Sequence, residues 1–176
     1  MGSDKSLLPI NGVTMIEYII KQINPLFDEV LISAGNPEKY QFLGLPVIAD
    51  IEENKGPLMG ILSCLKVSRN EINFVTACDI PVMNLETIHK MIELAVDFEI
   101  VMPFEKEDHF EPLFAIYRKS VVPEIEKLIA QNKFKVSELA KLKKSHFVDF
   151  ENQCWYKNLN QQSDYLKFLK IWKKEG

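Results

Sequence analysis

Cysteine is scarce in this chain and poorly spaced for chemistry. Cys64, Cys78 and Cys154 form no close pair and no C-x-x-C, so neither a disulfide staple nor a cysteine-built metal site is expected. Cys64 and Cys78 read instead as small buried apolar residues. Long apolar runs are also missing: no uninterrupted stretch approaches the roughly 18 residues that a bilayer crossing requires. No secretory leader opens the sequence, so the cytoplasm is the expected address and no membrane partner is expected. Nor is there an excess of positive charge. Lys and Arg number 21 against 25 Asp and Glu, a net charge of -4, which leaves no broad cationic face for a nucleic acid backbone. Lys167, Lys170, Lys173 and Lys174 read as the wet face of a last helix. The sequence contains no G-x-S-x-G elbow, no full Walker lysine loop and no G-x-G-x-x-G. His89, His109 and His146 share no helical face, and His109, between Asp108 and Glu111, reads as a solvated loop residue.

What is present is ordinary globular material. With 47% hydrophobic and 26% charged residues, the chain can form one domain over 1–176 and bury about two thirds of its unfolded surface. Ile16, Ile19, Ile20 and Ile23 recur at helical spacing up to Pro25, which predicts a helix over 14–24. Strands are expected at 29–34 and 46–49. Pro57 then opens a helix carrying Leu58, Ile61, Leu62 and Leu65. Residues 72–78 form the clearest core strand. Asn84 caps the next helix, a strand follows at 99–103, and 104–110 reads as a charged loop. A strand at 113–117, a helix capped by Ser120, a short helix over 136–142, a strand at 146–150 and a final helix through Leu166, Leu169 and Trp172 complete the order. The alternation predicts helices flanking a mainly parallel sheet, whose ligands gather beyond the carboxyl ends of its strands.

Two carboxylates emerge there: Asp50 after one strand and Asp79 after another. A lone aspartate in such a place more often closes a turn or caps a helix. The pair, with Gly56-Pro57 opening a helix between them, points to something more. A carboxylate at that edge can hold Mg²⁺ against a triphosphate and stabilise an expelled pyrophosphate. Lys5 lies just before the strand-like pair Leu7-Leu8 and the turn Pro9-Ile10-Asn11-Gly12, where a cation would compensate phosphate charge.

The ordered set Met1-Gly2-x-Asp4-Lys5, Val47-Ile48-x-Asp50, Gly56-Pro57-Leu58-x-Gly60, Cys78-Asp79-x-Pro81, Glu111-Pro112-Leu113 and Asn158-x-Asn160 resembles the molybdenum cofactor guanylyltransferases. The resemblance implies a three-layer, doubly wound α/β fold of the nucleotidyltransferase kind, and the family's first strand and glycine-rich loop would lie ahead of Met1. It further implies Mg²⁺-dependent transfer of GMP from GTP to molybdopterin or its molybdenum-loaded form, releasing pyrophosphate. In such a family Lys5 and Asp79 would be catalytic, with Asp79 holding the metal. Lys5, Asp50, Gly56 and Asp79 would bind nucleotide, and Asn158 and Asn160 would face the acceptor. Two positions depart from the usual pattern: Ser33 stands where many members have asparagine, with Asn36 nearby, and Glu111 stands where histidine is common. A non-catalytic pterin-binding or carrier protein of the same fold, and a transferase using CTP or a sugar phosphate, stay open as alternatives. The oligomeric state is open, with a monomer the simplest expectation.

Overall fold

The computed structural model describes residues 4–105, 109–142, 144–149 and 158–175. Asp4 opens it by accepting the Ser6 N–H at 3.0 Å, which caps a 3-10 turn over Lys5–Leu7. The Leu7-Leu8 pair is therefore the end of a turn rather than a strand. Strands β1 (Pro9–Ile10) and β2 (Val13–Thr14) form a minimal hairpin, closed by Asn11 and Gly12, both at positive φ. Helix α1 (Met15–Ile23) follows at once. Thr14 and Glu17 cap its start reciprocally, and Pro25 prevents its continuation.

Strands β3 (Ile32–Ser33) and β4 (Val47–Ile48) pair in parallel, joined through a 3-10 segment over Pro37–Leu43. Helix α2 (Pro57–Val67) begins with Pro57 in its first turn, as the sequence predicts. Strand β5 (Ile72–Thr76) leads past Asp79 to helix α3 (Leu85–Leu94), where Asn84 accepts the Thr87 N–H at 2.9 Å. Then come β6 (Ile100–Glu105), β7 (His109–Phe110) and β8 (Phe114–Arg118). Helices α4 (Val122–Ala130) and α5 (Val136–Leu142), strand β9 (Ser145–Asp149) and helix α6 (Gln162–Glu175) complete the order.

The fold is α/β, with a mixed sheet. Both β5 and β6 run antiparallel to β8, which lies between them, while β9 is parallel to β6. Thus β5, β6 and β9 share one direction and β8 opposes it. The reason is connection length: the stretch 106–113 is too short for the helical crossover that a parallel return needs. Within the expected loop over 104–110, Phe104 and Glu105 end β6 and pair with His109 and Phe110 of β7, while 106–108 lie outside the described residues. Nor does Ser120 cap α4: its hydroxyl donates to Glu99 at 2.8 Å, and Val121 occupies the cap position.

Alternation along β8 sorts side chains into two cores. Phe114 and Ile116 pack in one cluster with residues of α1, α3 and α6, while Ala115 and Tyr117 pack in another with α2, α4 and α5. These are the two helical layers on either face of the sheet. Strand β5, expected over 72–78 as the clearest core strand, spans Ile72–Thr76 and is only half-buried along its whole length. The cause is an open side: among the described residues β5 pairs with β8 alone and β3 with β4 alone, and a slot separates the two sheets. Cys64 and Cys78 line that slot. Cys64 is half-buried and Cys78 is exposed, against the expectation that both would be buried. Met1, Gly2, Asp108, Phe150 and Cys154 lie outside the described residues, as does the side chain of Trp172.

Candidate active site

Three of the residues picked from the sequence, Lys5, Asp79 and Asn160, meet past the carboxyl end of β5. Lys5 Nζ donates to Asp79 Oδ2 at 3.0 Å and to Asn160 Oδ1 at 3.1 Å, so three distant parts of the chain converge on one ammonium group. Both members of the Lys5–Asp79 pair keep partial solvent access, 27% and 19% by side chain, so an incoming anion can reach them. The backbone fixes the arrangement: Leu159 N–H donates to the Asp79 carbonyl at 2.9 Å, tying the segment 158–160 to the end of β5.

Lys5 is aimed by its own turn. Asp4 accepts from the Ser6 N–H at 3.0 Å, the Ser6 hydroxyl at 2.7 Å and the Tyr40 hydroxyl at 2.9 Å, and pairs with Lys39. Burial alone would raise the Asp4 carboxyl, but the bonds from Lys39, Ser6 and Tyr40 outweigh it and hold the acid well below its usual range. Asp4 is therefore a fixed anion that ties the turn to the 3-10 segment after β3. Lys39 and Tyr40 carry no motif-level signal in the sequence, because their partner lies more than thirty residues away.

Next to this group, Asn158 Nδ2 donates to Glu111 Oε2 at 3.2 Å, and Leu113 N–H donates to Glu111 Oε1 at 3.2 Å. Burial raises the Glu111 acid above its usual value and nearby Asp79 adds to the rise, while the two donors oppose it. Among the described residues, the buried Asn158 Oδ1 has no hydrogen-bond partner.

Asp50 stands across the slot, not against Lys5. Burial raises its acid, opposed by a hydrogen bond with the Ser33 side chain. A Cβ at Gly60 would fall 2.6 Å from Ser33 Oγ and 3.4 Å from Asp50 Oδ1, so the absence of a side chain at 60 makes room for the Ser33–Asp50 pair. Gly56 has φ 74° and ψ -172°, a backbone region essentially closed to other residues, and a Cβ there would meet nothing within 4 Å. The space beside it is thus open to a ligand. Asp50, Gly56 and Cys78 all line the slot's rim, which places both halves of the candidate site at the carboxyl ends of β3, β4 and β5.

Among the described residues there is no group of three or more His, Cys, Asp or Glu side chains able to hold a metal ion. Mg²⁺ needs no such cage, since it is commonly held by one or two carboxylates together with substrate phosphates and water. Asp79, a carboxylate beside a phosphate-seeking lysine, has the donor chemistry for that mode. No helix among the described residues is long and apolar enough to cross a membrane.

The pattern of the MobA-like NTP transferase domain matches residues 1–146. A probable molybdenum cofactor guanylyltransferase of Carboxydothermus hydrogenoformans is 35% identical over 178 residues, covering 97% of this chain and 89% of the relative. The crystal structure of molybdopterin-guanine dinucleotide biosynthesis protein A from Archaeoglobus fulgidus superposes with a TM-score of 0.82 at 21% identity, covering 98% of this chain and 92% of that one. The 2-C-methyl-D-erythritol 4-phosphate cytidylyltransferase of Thermus thermophilus has a TM-score of 0.72 at 12% identity, covering 96% and 94% of the two chains; these last two likenesses speak for the fold.

Proposed function

The chain belongs to the MobA-like NTP transferase family, a nucleotidyltransferase family, and from that premise we propose that it transfers GMP from GTP to molybdopterin or the molybdenum-loaded cofactor, releasing pyrophosphate. The observation that carries the proposal is the meeting of Lys5, Asp79 and Asn160 at one strand end.

An oxygen of the acceptor's terminal phosphate attacks the α-phosphorus of GTP in line, and the bond to the pyrophosphate oxygen breaks. Such a displacement asks the protein chiefly for positioning and charge neutralisation. Lys5 supplies a cation to the triphosphate. To do so it exchanges its contacts with Asp79 and Asn160 for phosphate oxygens, and Asp79 is then free for a metal. Mg²⁺, held by Asp79 and the phosphates, would offset charge developing on the leaving pyrophosphate. Asp50, oriented by Ser33, accepts hydrogen bonds from the nucleoside, and Gly56 lets it approach the backbone closely. Asn158 and Asn160 face the acceptor, with the unpartnered Asn158 Oδ1 available to a pterin N–H.

Pyrophosphate release is to be measured with GTP, molybdopterin and Mg²⁺. Turnover that needs all three supports the proposal, and a preference for CTP or for a sugar phosphate acceptor overturns the substrate assignment. Pterin binding by calorimetry with no affinity for GTP would make the protein a carrier instead.

A further inference from the structure

Glu111 is a carboxylate kept in costly surroundings. It is half-buried, and the charge of nearby Asp79 adds to the cost of ionising it, so a purely structural position would be served as well by a neutral side chain. What holds it is a rigid turn. Its N–H donates to the Pro103 carbonyl of β6 and its carbonyl accepts from Phe114 N–H, both at 3.2 Å, while Oε1 accepts from Leu113 N–H at 3.2 Å. The next carbonyl, that of Pro112, is pinned at 2.8 Å by the hydroxyl of the fully buried Tyr117. The other carboxylate oxygen, Oε2, reaches out of this turn and accepts from Asn158 Nδ2 at 3.2 Å.

Among the described residues, hydrogen bonds tie the segment 158–160 to the rest of the site at successive positions. Asn158 reaches Glu111 at 3.2 Å, Leu159 N–H reaches the Asp79 carbonyl at 2.9 Å, and Asn160 Oδ1 accepts from Lys5 at 3.1 Å. These ties do not fare equally in the proposed reaction. Lys5 leaves Asn160 when it turns to the triphosphate, and Leu159 hangs on the residue that then takes the metal. The bond from Asn158 to Glu111 involves neither group.

We propose that Glu111 is a positioning residue of this reaction: through Asn158 it holds the segment 158–160 in place while Lys5 is on the nucleotide, and thereby sets the affinity for the acceptor. This rests on the acceptor-facing role given to that segment above. The chemistry of a carboxylate suits the task. It only accepts hydrogen bonds, so it takes the nitrogen side of the Asn158 amide and admits one orientation. Its half-buried setting keeps water from competing for the bond, which strengthens it. Leu159, buried in the core cluster with α1, α3 and α6, then has its place fixed from both sides of the segment.

Glu111→Ala breaks the tie, and Asn158→Asp breaks it by setting two carboxylates against each other. The reversed pair, Glu111→Gln together with Asn158→Asp, restores a donor facing an acceptor and keeps the total charge of the native chain. Pyrophosphate release gives the KM for GTP and for molybdopterin in each. Both single variants are expected to raise the molybdopterin KM roughly tenfold or more with the GTP KM changed by less than about twofold, and the reversed pair to return to within about threefold of the native value. Amide hydrogen exchange reads the same bond without substrates. Leu159 N–H should exchange roughly tenfold faster in each single variant and recover in the reversed pair, while Ile116 in the middle of β8 keeps its rate. The difference at Leu159 should widen when Lys5→Ala removes the tie to Asn160. Should Glu111→Ala not fold, Asn158→Asp against the reversed pair carries the test. Unchanged Leu159 exchange, or no recovery in the reversed pair, overturns the proposal. So does a rise in both KM values with faster exchange at Ile116, because Glu111 then merely supports the fold. Faster Leu159 exchange with an unchanged molybdopterin KM overturns it as well, and shows that the segment does not serve the acceptor. If the native chain releases no pyrophosphate from these substrates, the transferase reading fails separately, and the exchange rates still decide whether Glu111 holds the segment.

Discussion

Lys5 is held by two acceptors with different fates in the proposed reaction, and that makes its neighbours separable by experiment. Asp79→Asn keeps the shape of the Lys5 contact and removes the charge; we expect turnover to fall at least about a hundredfold with little change in Tm, measured by pyrophosphate release and thermal unfolding. Asn160→Ala leaves Lys5 one competitor fewer, so GTP is expected to bind at least as tightly while the acceptor KM rises. Gly60 has a steric role. Gly60→Ala is expected to cost about 1–3 kcal/mol by driving Ser33 off Asp50, and Ser33→Ala should restore most of the stability without restoring nucleotide affinity. Glu111 provides a pH handle with a definite sign. Its folded-state acid is raised above its usual 4.5, so the folded chain holds this proton more tightly than the unfolded one. Stability from this group is complete below 4.5 and is lost as pH rises through the raised value. Glu111→Gln should flatten that part of the stability profile, as denaturant titration across the acid range would show.

The helices and turns around the site follow local rules, and most of them were legible in the sequence. Pro57 opens α2, Asn84 caps α3 and Pro25 closes α1 because each depends on a neighbour within a few residues. The capping box of α1 follows the same logic: Thr14→Ala is expected to cost about 1 kcal/mol, read from chemical denaturation. Ser120 shows where the local rule fails. Its hydroxyl has the right chemistry for a cap, but Glu99 from a separate strand claims it. The charged stretch 104–110 misleads for a related reason, since polarity suggested a loop while pairing with β6 made part of it a strand. The strap from Lys39 and Tyr40 to Asp4 had no local signature at all. We expect Tyr40→Phe to weaken GTP binding more than it lowers Tm, because the hydroxyl steadies the turn that aims Lys5 and packs no core.

The whole molecule is two cores sharing one sheet, and β8 is where they join. Ile116 and Tyr117 are adjacent and fully buried, yet they belong to opposite clusters. Ile116→Ala is expected to cost about 2–5 kcal/mol, and unfolding followed by probes in either cluster should still coincide in one transition. Separate transitions would mean that the sheet does not couple its faces. From the sequence alone came the α/β class, the order of the helices and of the longer strands, and the positions of Asp50 and Asp79 past strand ends, because periodicity, prolines and caps act over a few residues. The reversed β8, the half-buried β5, the slot and the contact of Asn160 with Lys5 came from folding in three dimensions. Each depends on which strands lie side by side and which distant side chains then fall within bonding reach, and neither is encoded in a short stretch of sequence.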